Sequence, residues 1–145
     1  MKPRYSTAYL NRLFSSDAYQ DLSQLSSILC ATDRFSQGES DYGLPQPLFV
    51  FVECLQWLAM SWRSGSAWTY YEATPRSRQE AMYQGLDALA APELARRYAE
   101  GMEYWRDPQA RRALDVWMKQ HDADATPWLH SLVRANRATI EQLMG

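Results

Sequence analysis

The sequence predicts an all-α, single-domain bundle of six to eight helices, and three observations carry that expectation. Almost every segment repeats its apolar residues at the helical spacing of three and four. Prolines beside a capping residue or a loop punctuate the chain as helix starts, at Pro47, Thr74-Pro75, Pro92, Asp107-Pro108 and Thr126-Pro127. No stretch of any length holds the two-residue alternation of a half-buried strand. A chain of 145 residues is one ordinary domain by length and buries roughly two-thirds of its unfolded surface. With 46% hydrophobic and 22% charged residues it has the composition of an ordered globular protein.

Thr7 to Phe14 forms a short first helix with Tyr9, Leu10, Leu13 and Phe14 on one side. Asp17 is placed to cap the next, whose apolar stripe is Leu22, Leu25, Ile28 and Leu29. The folded core is expected over about 17–144. Gly38, Gly43, Pro45 and Pro47 break regular structure between Ser36 and Pro47, so 36–47 is expected to be a mobile or binding loop, with Asp41 and Tyr42 as contact residues. Pro47 opens a central helix, Leu48 to Arg63. Its stripe of Leu48, Phe51, Val52, Leu55, Leu58, Ala59 and Trp62 is matched by Val50, Cys54 and Trp57 on the other side. A helix apolar around most of its circumference belongs in the middle of a bundle. The run Phe49-Val50-Phe51-Val52 is β-prone, but its unbroken continuation to Trp62 favours helix.

Ser64-Gly65-Ser66 ends that helix, with Gly65 free to adopt positive φ. Ala67 to Ala73 is a short aromatic turn or helix. Thr74 as cap and Pro75 in the first turn start another, with Met82, Leu86 and Leu89 inward. Pro92 opens a helix with Leu94, Tyr98, Met102 and Trp105 on one face and an Arg96–Glu100 pair outside. Asp107-Pro108 begins a helix to Gln120 with Ala110, Leu114, Trp117 and His121 inward. Thr126-Pro127 begins the last, bearing Leu129, Leu132, Val133, Ile140 and Leu143.

Charge and composition exclude several functions. Seventeen acids against fifteen bases give a net charge of −2, without the clustered basic surface that nucleic acid requires. Arg96-Arg97, Arg111-Arg112 and the Asp122–Asp124 pair read as solvated faces. The longest apolar run, Leu48 to Met60, contains Glu53 and Gln56 and is too short and polar to cross a bilayer. Met1 to Ser6 has no apolar stretch behind it, so no secretory signal is expected and the protein reads as cytoplasmic, with no membrane partner. Cys30 and Cys54 read as free thiols.

Residues that do chemistry are sparse. His121 and His130 come without metal-ligand spacing, the glycines lack a phosphate-binding pattern, and no catalytic residue, metal or cofactor is expected. Glu53 breaks a local rule, since a carboxylate among Phe51, Val52, Cys54, Leu55 and Trp57 needs a partner. It anchors a neighbouring helix, forms the floor of a ligand or partner site or, least favoured because no second carboxylate accompanies it, serves as a catalytic acid. Trp68, Tyr70 and Tyr71 either close the bundle or offer a contact surface, flanked by Arg63, Arg76 and Arg78. Thirteen per cent aromatic residues is high for this size, and some of them are expected at a surface.

The order Val52-Glu53-Cys54-Leu55, Ser64-Gly65-Ser66, Tyr70-Tyr71, Ala81 and Leu86-Asp87-Ala88-Leu89-Ala90-Ala91-Pro92-Glu93-Leu94-Ala95 resembles a bacterial domain family of unknown function. That family includes the C-terminal domain of a DNA-mimic protein. Its Asn-Gly-Gly stands here as Ser64-Gly65-Ser66, and its corner glycine as Ala90. The resemblance implies a helical, non-enzymatic domain that acts through protein–protein contact. In general character the chain also resembles an immunity protein, which neutralises a toxin by covering it. The expectation is therefore a toxin-neutralising protein, with a regulatory module for a transcription factor or other cellular partner as the alternative and an enzyme of unrecognised type, built on Glu53, a histidine and Tyr71, as a third reading. A homodimer would suit the regulatory module, whereas an inhibitor that plugs a site need not self-associate. The expected contact residues are Glu53, Arg63, Trp68, Tyr70, Tyr71, Arg76, Asp41 and Tyr42.

Overall fold

A computed structural model describes residues 5–63 and 66–145, the side chains of 62, 63 and 122–124 excepted. Among the described residues the chain is all-helical, with no strand. Eight helices lie in the described residues: α1 (Thr7–Ser15), α2 (Tyr19–Cys30), α3 (Gln46–Arg63), α4 (Trp68–Ala73), α5 (Arg76–Ala88), α6 (Pro92–Tyr104), α7 (Pro108–Ala135) and α8 (Arg137–Met144). The contacts divide into two compact units, one of Met1–Val52 with Ala123–Gly145 and the other of Glu53–Asp122. Trp62, Arg63, Ser64, Gly65, Asp122 and Asp124, singled out above as stripe, contact, cap or surface-charge residues, lie outside what is described.

In the first unit, Ser6 caps α1 by accepting the Tyr9 N–H at 3.1 Å. Leu13 and Phe14 are its buried face, while Tyr9 and Leu10 are half-exposed. The α2 stripe of Leu22, Leu25, Ile28 and Leu29 is buried as the spacing predicts. Burial of each such side chain contributes about 1.5–3 kcal/mol. Asp17 does not cap α2. The cap residue is Ala18, whose N–H is taken by Ser16 Oγ at 2.9 Å, and the Asp17 carboxylate turns instead to Arg134 at 3.1 Å. Arg134 also donates to the carbonyls of Phe14 and Ser16 at 2.8 and 2.9 Å, so one guanidinium ties α7 to the α1–α2 connection.

The irregular segment ends at Pro45, since α3 already includes Gln46 and Pro47, and it is pinned at several points. Tyr42 at φ 57° and Gly43 at φ 71° turn the chain, the Ser36 N–H reaches the Tyr42 carbonyl at 2.8 Å, and Arg34 Nε reaches the Gly43 carbonyl at 2.6 Å. The Tyr42 ring is buried between Phe35 and Phe49, at centroid distances of 4.9 and 5.6 Å.

Pro127 does not open a helix. It lies inside α7, which runs unbroken from Pro108 to Ala135. An interior proline removes one backbone bond and strains the turn before it, and the buried Leu129, Leu132 and Val133 on the following turns offset that loss by packing. The last helix, α8, starts after Asn136 and buries Ile140.

The second unit contains α4, α5 and α6. Pro92 stands in the first turn of α6 as expected. Asp107 starts α7 as expected, accepting the Ala110 N–H at 2.9 Å. Thr74 is not the cap of α5: Pro75 holds that position without a side-chain bond, and the Thr74 carbonyl accepts Gln79 Nε2 at 2.8 Å. The inward face of α6 is Ala95, Tyr98, Gly101 and Met102, with Leu94 and Trp105 only half-buried. Leu86 is buried and Leu89 half-exposed, because α5 has ended by residue 89. Asp115 of α7 was not anticipated. It accepts the Ala67 N–H at 2.7 Å and Ser66 Oγ at 3.0 Å, fixing the start of α4.

Candidate functional site

Glu53 is the rule-breaking residue of the sequence, and the structure supplies its partner. Its side chain is only 1% exposed. The Tyr70 hydroxyl donates to Glu53 Oε2 at 2.5 Å and lies 2.6 Å from the Tyr98 hydroxyl. Tyr71, next in α4, donates its own hydroxyl to the Tyr98 backbone carbonyl at 3.0 Å. Trp57 completes the cluster edge-on to Tyr98 at 5.2 Å, and Tyr70, Tyr71 and Tyr98 meet at 5.1 to 5.9 Å. Three helices therefore build one polar knot inside an aromatic cluster: α3 brings the carboxylate, α4 two phenols and α6 the third.

The geometry follows from small residues as well as large ones. Gly101 lies one turn beyond Tyr98, and a Cβ there would overlap the Tyr71 ring. Gln79 donates to the Tyr71 carbonyl at 3.1 Å as well as to Thr74, holding the α4–α5 corner.

Burial governs the proton chemistry of this knot. It pushes the Tyr70 phenol well above its ordinary range, helped by the neighbouring Tyr98 and Glu53. Tyr71 is raised first by burial and then by Tyr98. Trp57 Nε1 faces Tyr71 and offsets part of that rise without completing a hydrogen bond. Cys54 is pushed up to about 12 by burial and then by the Glu53 charge, so it stays a neutral thiol. Both cysteines are free. The Tyr70 and Tyr71 phenols remain protonated and act as donors, and the Glu53 carboxylate is an acceptor already engaged.

The eight expected contact residues separate sharply. Tyr42, Tyr70, Tyr71 and Glu53 are buried, so their side chains do not present a surface. The cause is the same in each case: an amphipathic group finds an internal hydrogen bond or ring partner and packs inward. Trp68 is 37% exposed on α4, and Arg76 and Asp41 are exposed. The Asp41 carboxylate accepts the Gly43 N–H at 2.9 Å and so supports its own turn. Arg76 spans α5 to α6, donating to the Met102 carbonyl at 3.2 Å and to Glu103 at 2.9 Å. Arg63 lies outside the described side chains. Arg78, named as a flanking cation, is buried.

The exposed aromatic surface lies on α5 and α6, at residues the sequence did not single out. Tyr83 is 39% exposed and Tyr104 is 59% exposed. Between them runs an open groove of about 420 Å³ floored by Pro92, Ala95 and Ala99 and edged by Asp87, Arg96 and Glu103. Their signal was present as aromatics off the stripe. Tyr83 follows the inward Met82, and Tyr104 falls two residues after the inward Met102.

The two histidines do other things. His121 stacks on Trp117 at 4.9 Å, with its Nδ1 2.9 Å from the Trp117 carbonyl, while Arg97 covers Trp117 at 5.3 Å. His130 is buried, and neither ring nitrogen completes a hydrogen bond. No group of three metal-ligating side chains occurs among the described residues, and no helix there is long and apolar enough to cross a membrane. No family model, curated protein or solved structure matches the chain.

Proposed function

We propose that this protein acts by binding another protein non-covalently, as an immunity-type inhibitor of a bacterial toxin, with the α5–α6 face as its contact surface. The observation that carries the reading is the pair of exposed tyrosines, Tyr83 and Tyr104, on either side of an open groove. Tyrosine offers a large, rigid, amphipathic surface with few rotatable bonds, which is why it recurs at binding hot spots. The Glu53–Tyr70–Tyr98 knot supports the same reading from the other side. Its polar atoms are engaged with one another and its rings are buried, as suits a structural anchor. No residue is assigned a catalytic role. A net charge of −2 disfavours the alternative of broad phosphate mimicry.

The test is protection of cells. Co-expression with a toxin encoded beside this gene should restore growth, and the Tyr83→Ala/Tyr104→Ala double variant should lose protection without a change in melting temperature. Full toxin activity in the presence of excess protein would overturn the proposal.

A further inference from the structure

We infer that the α5–α6 groove receives an arginine-bearing segment of the partner, an inference that rests on the protein-binding reading of this face. The lining supplies three carboxylates, Asp87, Glu100 and Glu103, against a single guanidinium, Arg96. That guanidinium is already occupied, held by Glu93 at 2.8 Å and by Glu100 at 3.6 Å. Glu103 is likewise engaged by Arg76 at 2.9 Å. Asp87 is different: it is exposed, lines the groove from α5 and has no ion partner among the described residues.

An incoming cation therefore meets an unneutralised carboxylate beside two exposed phenol rings. Arginine suits that set better than lysine, because a planar guanidinium both forks onto a carboxylate and stacks on an aromatic face. The second unit already uses this stacking, with Arg97 over Trp117 at 5.3 Å. The floor of Ala95 and Ala99 is small and apolar, which lets the methylene stem of an arginine lie along it. An acidic segment would meet the uncompensated charge of Asp87, since Glu100 and Glu103 are already paired with arginines.

A synthetic peptide alternating arginine and alanine, titrated into the whole isotope-labelled protein at 0.15 M salt, tests the inference, with the citrulline peptide as its neutral twin. The expected result is a set of amide shifts centred on Tyr83, Asp87 and Tyr104. Binding should be about tenfold weaker for the citrulline peptide, which loses an exposed ion pair and a cation–π contact, and severalfold weaker for Asp87→Lys, which replaces the ion pair by a like charge and keeps the rings. Equal binding of the two peptides, shifts spread over carboxylates around the whole surface, or unchanged affinity in Asp87→Lys would overturn it. Concentration-dependent shifts at the same residues without peptide would also overturn it, by making a second copy the occupant. If the peptide fails while Tyr83→Ala/Tyr104→Ala still abolishes toxin protection, the arginine assignment falls and the binding face stands. If protection also survives the double substitution, both fall.

Discussion

The Tyr70 hydroxyl joins two buried groups of the second unit, so removing it strips a donor from Glu53 and a partner from Tyr98. Tyr70→Phe should therefore lower stability by about 1–3 kcal/mol, the range for a buried acceptor losing its donor. Tyr83→Phe, on the surface, should stay within about 0.5 kcal/mol. Urea denaturation of the two variants checks this, and equal effects would contradict it.

His130 makes a second residue-level prediction. Burial, and then the Arg134 charge, hold its pKa below the ordinary imidazole value, against an opposing pull from the Asp17 charge. The unfolded chain binds a proton near about pH 6.5, whereas the folded state resists it. Stability is thus full above that pH and falls as pH drops from there through the depressed folded value, with a slope approaching about 1.4 kcal/mol per pH unit. His130→Gln should flatten the slope between pH 7 and 5.5, and an unchanged slope would refute the assignment. At this scale the sequence showed that Glu53 needed a partner but could not name Tyr70 and Tyr98. A hydrogen bond across 28 positions leaves no local periodicity to read.

At the scale of elements, apolar spacing located the helices, and capping chemistry located their ends less well. Asp107 caps α7 as its position suggested, while Asp17 and Thr74 were drawn to Arg134 and Gln79 through side-chain or carbonyl bonds. Pro127 was misread because a start signal and an interior proline look alike when the flanking apolar residues keep the helical period on both sides. The α5–α6 corner shows a local compromise. Ala90 sits at φ 56°, a conformation that favours glycine, while the Ala91 N–H closes back on the Leu86 carbonyl at 3.1 Å. Ala90→Gly should therefore stabilise the protein by about 0.5–1 kcal/mol, relief of strain outweighing the added freedom of the unfolded chain. Gly101→Ala should do the opposite. It improves helix propensity but drives a methyl group into the Tyr71 ring, for a net loss of about 1–3 kcal/mol. Thermal melts of the two variants should move in opposite directions, and any shift in the same direction would undo the packing account.

Across the whole molecule, the all-helical class was legible because it is written in repeated local spacing, which survives ignorance of tertiary contacts. The candidate surface was not, for a physical reason. Aromatic content signalled a contact face, but Tyr42, Tyr70 and Tyr71 were absorbed into ring clusters while Tyr83 and Tyr104 were left outside by helix phase. Phase relative to the stripe, more than the density of aromatics in a segment, separated core from surface. The central claim is that recognition belongs to the outer face of α5 and α6, whereas the acid–phenol cluster only holds the fold. The most direct measurement compares toxin protection by Tyr104→Ala with protection by Tyr70→Phe at a temperature where both remain folded. Loss of protection in Tyr104→Ala alone is the predicted result; loss in Tyr70→Phe alone, with Tyr104→Ala fully protective, would contradict it.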